Sequence, residues 1–202
     1  MKRRARRAPL FLATLVILSS LCLAGCFTAD ITVGPDGGGT IEYMYLFLPT
    51  ADIEKEKARF TSPHVTLVSY TPKPSDHTAV VVAKFDDVTK LNTAEGFKYA
   101  DLSRSRDGDT ERMRIVLRNP NPDPSARDEH KDGPRIALTL PGKVIEANRN
   151  AEVAGDRVTW RIPVIDFQRT SSLELTVSWT AAPAPAGATS TTEPSKETGS
   201  GH

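Results

Sequence analysis

Ala29-Asp30-Ile31-Thr32-Val33-Gly34-Pro35-Asp36-Gly37-Gly38-Gly39-Thr40-Ile41-Glu42-Tyr43-Met44-Tyr45-Leu46-Phe47-Leu48 is the stretch on which the fold of this 202-residue chain turns. Ala29, Ile31 and Val33 alternate with Asp30 and Thr32, and the segment Gly34 to Gly39 then breaks the run. Beyond Thr40, Ile41, Tyr43, Tyr45 and Phe47 fall on one face, and Glu42, Met44, Leu46 and Leu48 on the other. Strand side chains alternate between faces, so two such runs around a glycine-rich turn predict a β-hairpin. The second run is apolar on both faces towards its end, the pattern of a central or doubly covered strand. Pro49 stops it.

Working outward towards the carboxy terminus, one helix is predicted over 51–60 with Thr50 as its N-cap. Asp52–Lys55, Glu54–Lys57 and Glu56–Arg59 lie three apart, so opposite charges become neighbours there. Its apolar residues are few (Ile53, Ala58 and Phe60), so it covers the sheet only lightly. Strand patterns follow at Val65–Tyr70 and Ala79–Phe85, and a second hairpin joins Phe97–Arg104 to Arg112–Arg118 with Asp107-Gly108 at its tip. Residues Asn119 to Gly133 (NPNPDPSARDEHKDG) form a long polar loop whose prolines forbid helix and ladder alike. Ile136–Leu140, Lys143–Ala147, Arg157–Ile162 and Leu173–Trp179 complete the strands. The expected fold class is α+β, a predominantly antiparallel β-sheet with one short helix after the first hairpin.

Upstream of the hairpin the chemistry changes. Lys2, Arg3, Arg4, Arg6 and Arg7 precede the apolar run Leu10 to Leu18, and no acid occurs before Asp30. A basic segment followed by an apolar one shorter than the ~20 residues of a membrane span is a secretion signal. Leu23-Ala24-Gly25-Cys26 resembles the lipobox of bacterial lipoproteins, with cleavage between Gly25 and Cys26 and acyl chains, palmitate among them, carried by Cys26. Residues 1–25 are thus expected to be removed and 26–180 to form the domain. Cys22 leaves with the signal, so the mature chain has no thiol pair for a disulfide or a thiolate metal site. Two or more acyl chains anchor stably where one is marginal. Phe27, and not an aspartate, follows the cysteine, resembling lipoproteins that sort to an outer membrane where one exists. The expected location is the cell membrane or outer membrane, facing away from the cytoplasm.

The 26 basic and 25 acidic side chains balance only in the precursor. Residues 1–25 hold five of the basic residues and none of the acidic ones, leaving 21 against 25, a mature charge of −4. That sign disfavours a nucleic-acid partner. Residues 181–202 (AAPAPAGATSTTEPSKETGSGH) lack Leu, Ile, Val, Met, Phe, Tyr and Trp, so they are expected to be disordered.

Catalytic and metal signatures are sparse. His64, His77, His130 and His202 share no ligand spacing suited to zinc. No G-x-S-x-G, P-loop or G-x-G-x-x-G occurs, and Gly37-Gly38-Gly39 joins two strands without a following helix to cradle phosphate. Asp107, Asp109 and Glu111 alternate as calcium-loop ligands do, but the glycine sits at the second position and no acid follows at the twelfth. The loop acids Asp123, Asp128, Glu129 and Asp132 read as solvated. No catalytic residue, metal or cofactor is assigned.

Asp30 to Thr40 resembles the opening hairpin of the LppM-type domain of bacterial envelope lipoproteins, a DUF3153-like family. Leu138-Thr139-Leu140-Pro141-Gly142-Lys143-Val144-Ile145-Glu146-Ala147-Asn148 is similar to its L-P-G-x-V-x-x-A-N segment, and Val158-Thr159-Trp160 to its closing V-x-W strand. The resemblance covers about a third of the domain and none of residues 50–130. It implies an α+β envelope domain without established catalytic residues, whose fold has been linked to lipid-like ligands. Some members end in a membrane helix; this chain ends in the polar tail.

Three functions remain open on the residues. The first is a module holding a lipid-like or other apolar ligand, for which Tyr43, Tyr45 and Phe47 are the candidate contacts. Against it stands the plain alternative that these three only build the core. The second is an adaptor lipoprotein docking another envelope protein. The third, an enzyme such as a hydrolase, has no motif behind it, so the protein is read as non-catalytic.

Overall fold

The computed structural model describes residues 27–48, 50–127 and 133–181. The lipobox with Gly25 and Cys26, His130, the loop acids 128–132 and the tail from 182 lie outside them.

The hairpin forms as β1 (Thr28–Val33) and β2 (Gly39–Leu46), with Ala29 opposite Tyr43, Ile31 opposite Ile41 and Val33 opposite Gly39. Two glycines set the turn. Gly37 has φ +90°, a conformation that side chains disfavour. A Cβ on Gly39 would overlap the Thr32 carbonyl across the ladder.

Around this hairpin the chain adds β3 (Val65–Lys73), β4 (Thr78–Phe85), β5 (Ala100–Asp107), β6 (Thr110–Arg118) and β7 (Arg135–Thr139). Then come β8 (Val144–Ala147), β9 (Glu152–Ala154), β10 (Arg157–Arg161) and β11 (Ser172–Thr180). Seven strands pair in the order β3-β4-β2-β1-β7-β10-β9, and four in the order β5-β6-β11-β8. Every pairing is antiparallel except that of β1 with β7. Period-two patterning explains the faces. Val81, Ala83 and Phe85 of β4, Ile136 and Leu138 of β7, and Leu173, Leu175, Val177 and Trp179 of β11 all point inward and share one core.

The expectation of an α+β fold is overturned: the protein is predominantly β, built as two sheets. Among the described residues the α-helices are α1 (Ile53–Ala58) and α2 (Val164–Arg169), six residues each, beside three 3-10 segments. Helix α1 buries none of its residues, so it cannot act as a layer. It is also shorter than the predicted 51–60 and is capped by Asp52 instead of Thr50. The Asp52 carboxylate accepts from the amides of Glu54 and Lys55 at 3.0 and 3.3 Å, while a Leu48–Ala51 turn occupies the preceding residues. The charge pairs form as spaced, Lys57 to Glu54 at 2.8 Å and Arg59 to Glu56 at 3.0 Å. Helix α2, strand β9 and the 3-10 segment Val88–Thr93 had no sequence signal, because three to six residues are too few to show a periodic stripe.

The two ends of the sandwich differ. At one end the β1–β2 turn is clamped: Arg104 donates to the Pro35 carbonyl at 3.1 Å and the Val88 amide to that of Gly37 at 2.9 Å. The same Arg104 pairs with buried Glu111 (Nε to Oε2 2.6 Å). At the other end lie the start of β1, the end of β2, the start of β5 and the end of β6.

Candidate functional site

Between the sheets, towards that second end, is a cavity of about 360 Å³. Its walls follow from strand alternation. Ala29 and Ile31 of β1 and Ile41, Tyr43 and Tyr45 of β2 face Leu102 of β5 and Ile115 and Leu117 of β6. Leu91, Phe97 and Phe167, on the short helical segments, close the sides. Small residues at Ala29, Gly96 and Ala100 border the space. Protein interiors are otherwise close-packed, and a volume of this size falls within the range of small-molecule sites.

Aromatic rings make much of the wall. Tyr43 stacks on Tyr45 with centroids 5.5 Å apart, and meets Phe97 edge-on at 5.6 Å and Phe27 at 5.7 Å. Phe60 lies 5.2 Å from Phe97 and 5.6 Å from Tyr45. These separations are those of favourable offset and edge contacts.

The polar groups separate into two kinds. Tyr45 donates to Glu56 at 2.7 Å and lies 3.2 Å from the Tyr70 hydroxyl, while Arg59 grips both Glu56 oxygens at 3.0 Å. Desolvation, reinforced by the hydrogen bonds with Tyr70 and Glu56, raises the Tyr45 phenol well above its ordinary range. Desolvation also raises Tyr70. Tyr43 is different. Its hydroxyl has no hydrogen-bond partner among the described residues, and desolvation pushes its pKa up to about 12 against a weaker opposing effect of Arg59. It is a neutral donor and acceptor on the cavity wall.

The sequence candidates Tyr43, Tyr45 and Phe47 all border the cavity. Phe47 is buried against Tyr70, edge-on at 6.3 Å. Met44 is half-buried, whereas Leu46 and Leu48 are exposed, so the outer face of the strand's end is not covered as its apolarity suggested. Sequence reasoning missed Phe27, Phe60, Phe97 and Phe167, which arrive from distant segments without a shared local pattern. His64 sits against Asp86 at 3.1 Å on the surface, and His77 caps a 3-10 turn with φ +51°. Glu111 is engaged by Arg104, not gathered with Asp107 and Asp109. Among the described residues no group of three His, Cys, Asp or Glu could hold a metal, and no helix is long and apolar enough to cross a membrane. The described cavity lining offers two glutamates and two arginines as its charged groups, and no serine, histidine or lysine.

No family model matches the chain, and no curated protein matches it. Among solved structures, it is similar to the NMR structure of the folded domain of the Mycobacterium tuberculosis LppM protein. The TM-score is 0.51 at 17% identity, over 78% of this chain and 90% of that one. At that identity the likeness is one of architecture: the chain has an LppM-like fold.

Proposed function

We propose that this protein is a lipid-anchored lipoprotein of the bacterial envelope whose domain holds an apolar ligand with one acyl-chain-like arm, without transforming it. The observation that carries this reading is the cavity of about 360 Å³ walled by aromatic and aliphatic side chains. At the ~30 Å³ that a water occupies in its liquid, taken as the size of a methylene, the space admits on the order of a dozen such groups. The Tyr43 hydroxyl, without a hydrogen-bond partner among the described residues, supplies one hydrogen bond for a polar group near the chain's end, and Arg59 with Glu56 supplies a charged border. Sparse polar groups on an apolar wall fix a ligand's orientation. The anchor is the lipobox cysteine Cys26, outside the described residues.

Native mass spectrometry of the chain from residue 27 onward, purified without detergent, tests the cavity's role. A co-purifying mass of lipid size that organic solvent removes supports the reading. A clean protein mass that stays clean after incubation with envelope lipids overturns it and favours the adaptor reading.

A further inference from the structure

Six large hydrophobic residues are exposed among the described residues, and three of them fall within eight positions: Leu46 at 41%, Leu48 at 53% and Ile53 at 41%. Leu46 and Leu48 also line the cavity, and the Leu48–Ala51 turn brings the start of α1 beside them. This apolar rim therefore borders the open end, while the opposite end is clamped by Arg104. The chain enters the fold at the same open end. Phe27 lines the cavity, and its carbonyl accepts from the Arg135 amide at 3.1 Å, which fixes its place. Cys26 precedes it by a single ~3.8 Å Cα step.

We propose that the open end of the cavity docks on a lipid bilayer, with Leu46, Leu48 and Ile53 as its contacting rim. The bilayer is the occupant because Phe27, the residue that follows the lipobox cysteine, borders the same cavity as the exposed Leu46 and Leu48, so an anchor at that cysteine would also present the rim. Exposed apolar side chains gain by leaving water for the acyl boundary, and a short apolar contact adds to an acyl anchor without spanning. An acyl chain then passes from bilayer to cavity without crossing water. This deepens the ligand-binding proposal and takes its orientation from the lipobox reading.

The test uses the full chain, expressed with its own signal, recovered in detergent and reconstituted into vesicles of phosphatidylcholine and phosphatidylglycerol, with the phosphatidylcholine brominated in its acyl chains. Ile53→Trp reports the rim; Ile53 lies outside the cavity lining, so a brominated chain inside the cavity is not what it reads. Asp107→Trp reports the clamped end, and the buried Trp160 and Trp179 are a common background. The expected result is loss of most of the added emission at position 53 and retention at 107. Equal emission at the two positions, or quenching at 107 alone, overturns the docking. So does a chain that fails to float with the vesicles. An empty cavity in the native mass spectrum, with position 53 quenched, overturns the ligand reading and leaves the docking standing.

Discussion

Tyr43 and Tyr45 stand two residues apart on the same face of β2, their rings stacked within 14° of parallel, yet only Tyr45 has hydroxyl partners among the described residues. The difference is positional. Tyr45 reaches α1 and β3, which carry Glu56 and Tyr70, whereas Tyr43 lies deeper among phenyl rings.

That contrast predicts unequal costs for removing the two hydroxyls. Tyr45→Phe takes a hydrogen bond from a carboxylate that retains Arg59, and is expected to cost about 1–2 kcal/mol. Tyr43→Phe removes a group without a partner among the described residues and is expected to stay within about 0.5 kcal/mol. Urea unfolding of both variants is the measurement; equal losses would show that the Tyr43 hydroxyl is engaged.

Alkaline stability follows from the same residues. Burial raises the Tyr43 phenol to about 12 from 10.0, so the folded state holds its proton more tightly than the unfolded chain. Stability from this source is complete below the unfolded value and lost as pH rises through the folded one. A fall on the order of 1–2 kcal/mol is expected between about pH 10 and 12. The urea midpoint followed across that window should decline less steeply in Tyr43→Phe.

Filling the cavity should separate fold from binding. Ala29 is buried on β1 and borders the space, so Ala29→Leu extends into volume already present. Its stability is expected within about 1 kcal/mol of the parent, below the ~1–3 kcal/mol of true overpacking. Lipid-sized masses in the native spectrum should disappear. An undiminished ligand mass in this variant would place the ligand elsewhere.

At the clamped end, Arg104→Ala leaves Glu111 buried and frees the Pro35 carbonyl. Breaking a fully buried pair costs about 3–5 kcal/mol. Arg106, 4.0 Å from Glu111, and the pair's partial exposure bring the expected loss to about 2 kcal/mol. The thermal midpoint should fall accordingly, and an unchanged midpoint would show that the clamp contributes nothing.

Cys26→Ala tests the anchor. The variant is expected to accumulate as an unprocessed precursor when expressed with its signal in bacteria. Normal cleavage and membrane retention, seen by immunoblot of fractionated cells, would refute the lipobox.

By itself the sequence determined most of the strands and the two hairpin pairings. Gly37 to Gly39 between two alternating runs fixed the β1–β2 hairpin, and Asp107-Gly108 fixed the β5–β6 tip, because period-two burial and turn geometry are local properties. It also marked the inward face carrying Tyr43, Tyr45 and Phe47. The fold class was misread because a helix was expected over 51–60, where only the six residues Ile53–Ala58 are helical and none of them is buried. The split into sheets of seven and four strands, with β1 parallel to β7, was decided by tertiary structure, since it joins segments more than a hundred residues apart. So was the cavity. It needs rings at Phe27, Phe60, Phe97 and Phe167 to converge while Ala29 and Ala100 stay small, and empty volume has no sequence signature of its own.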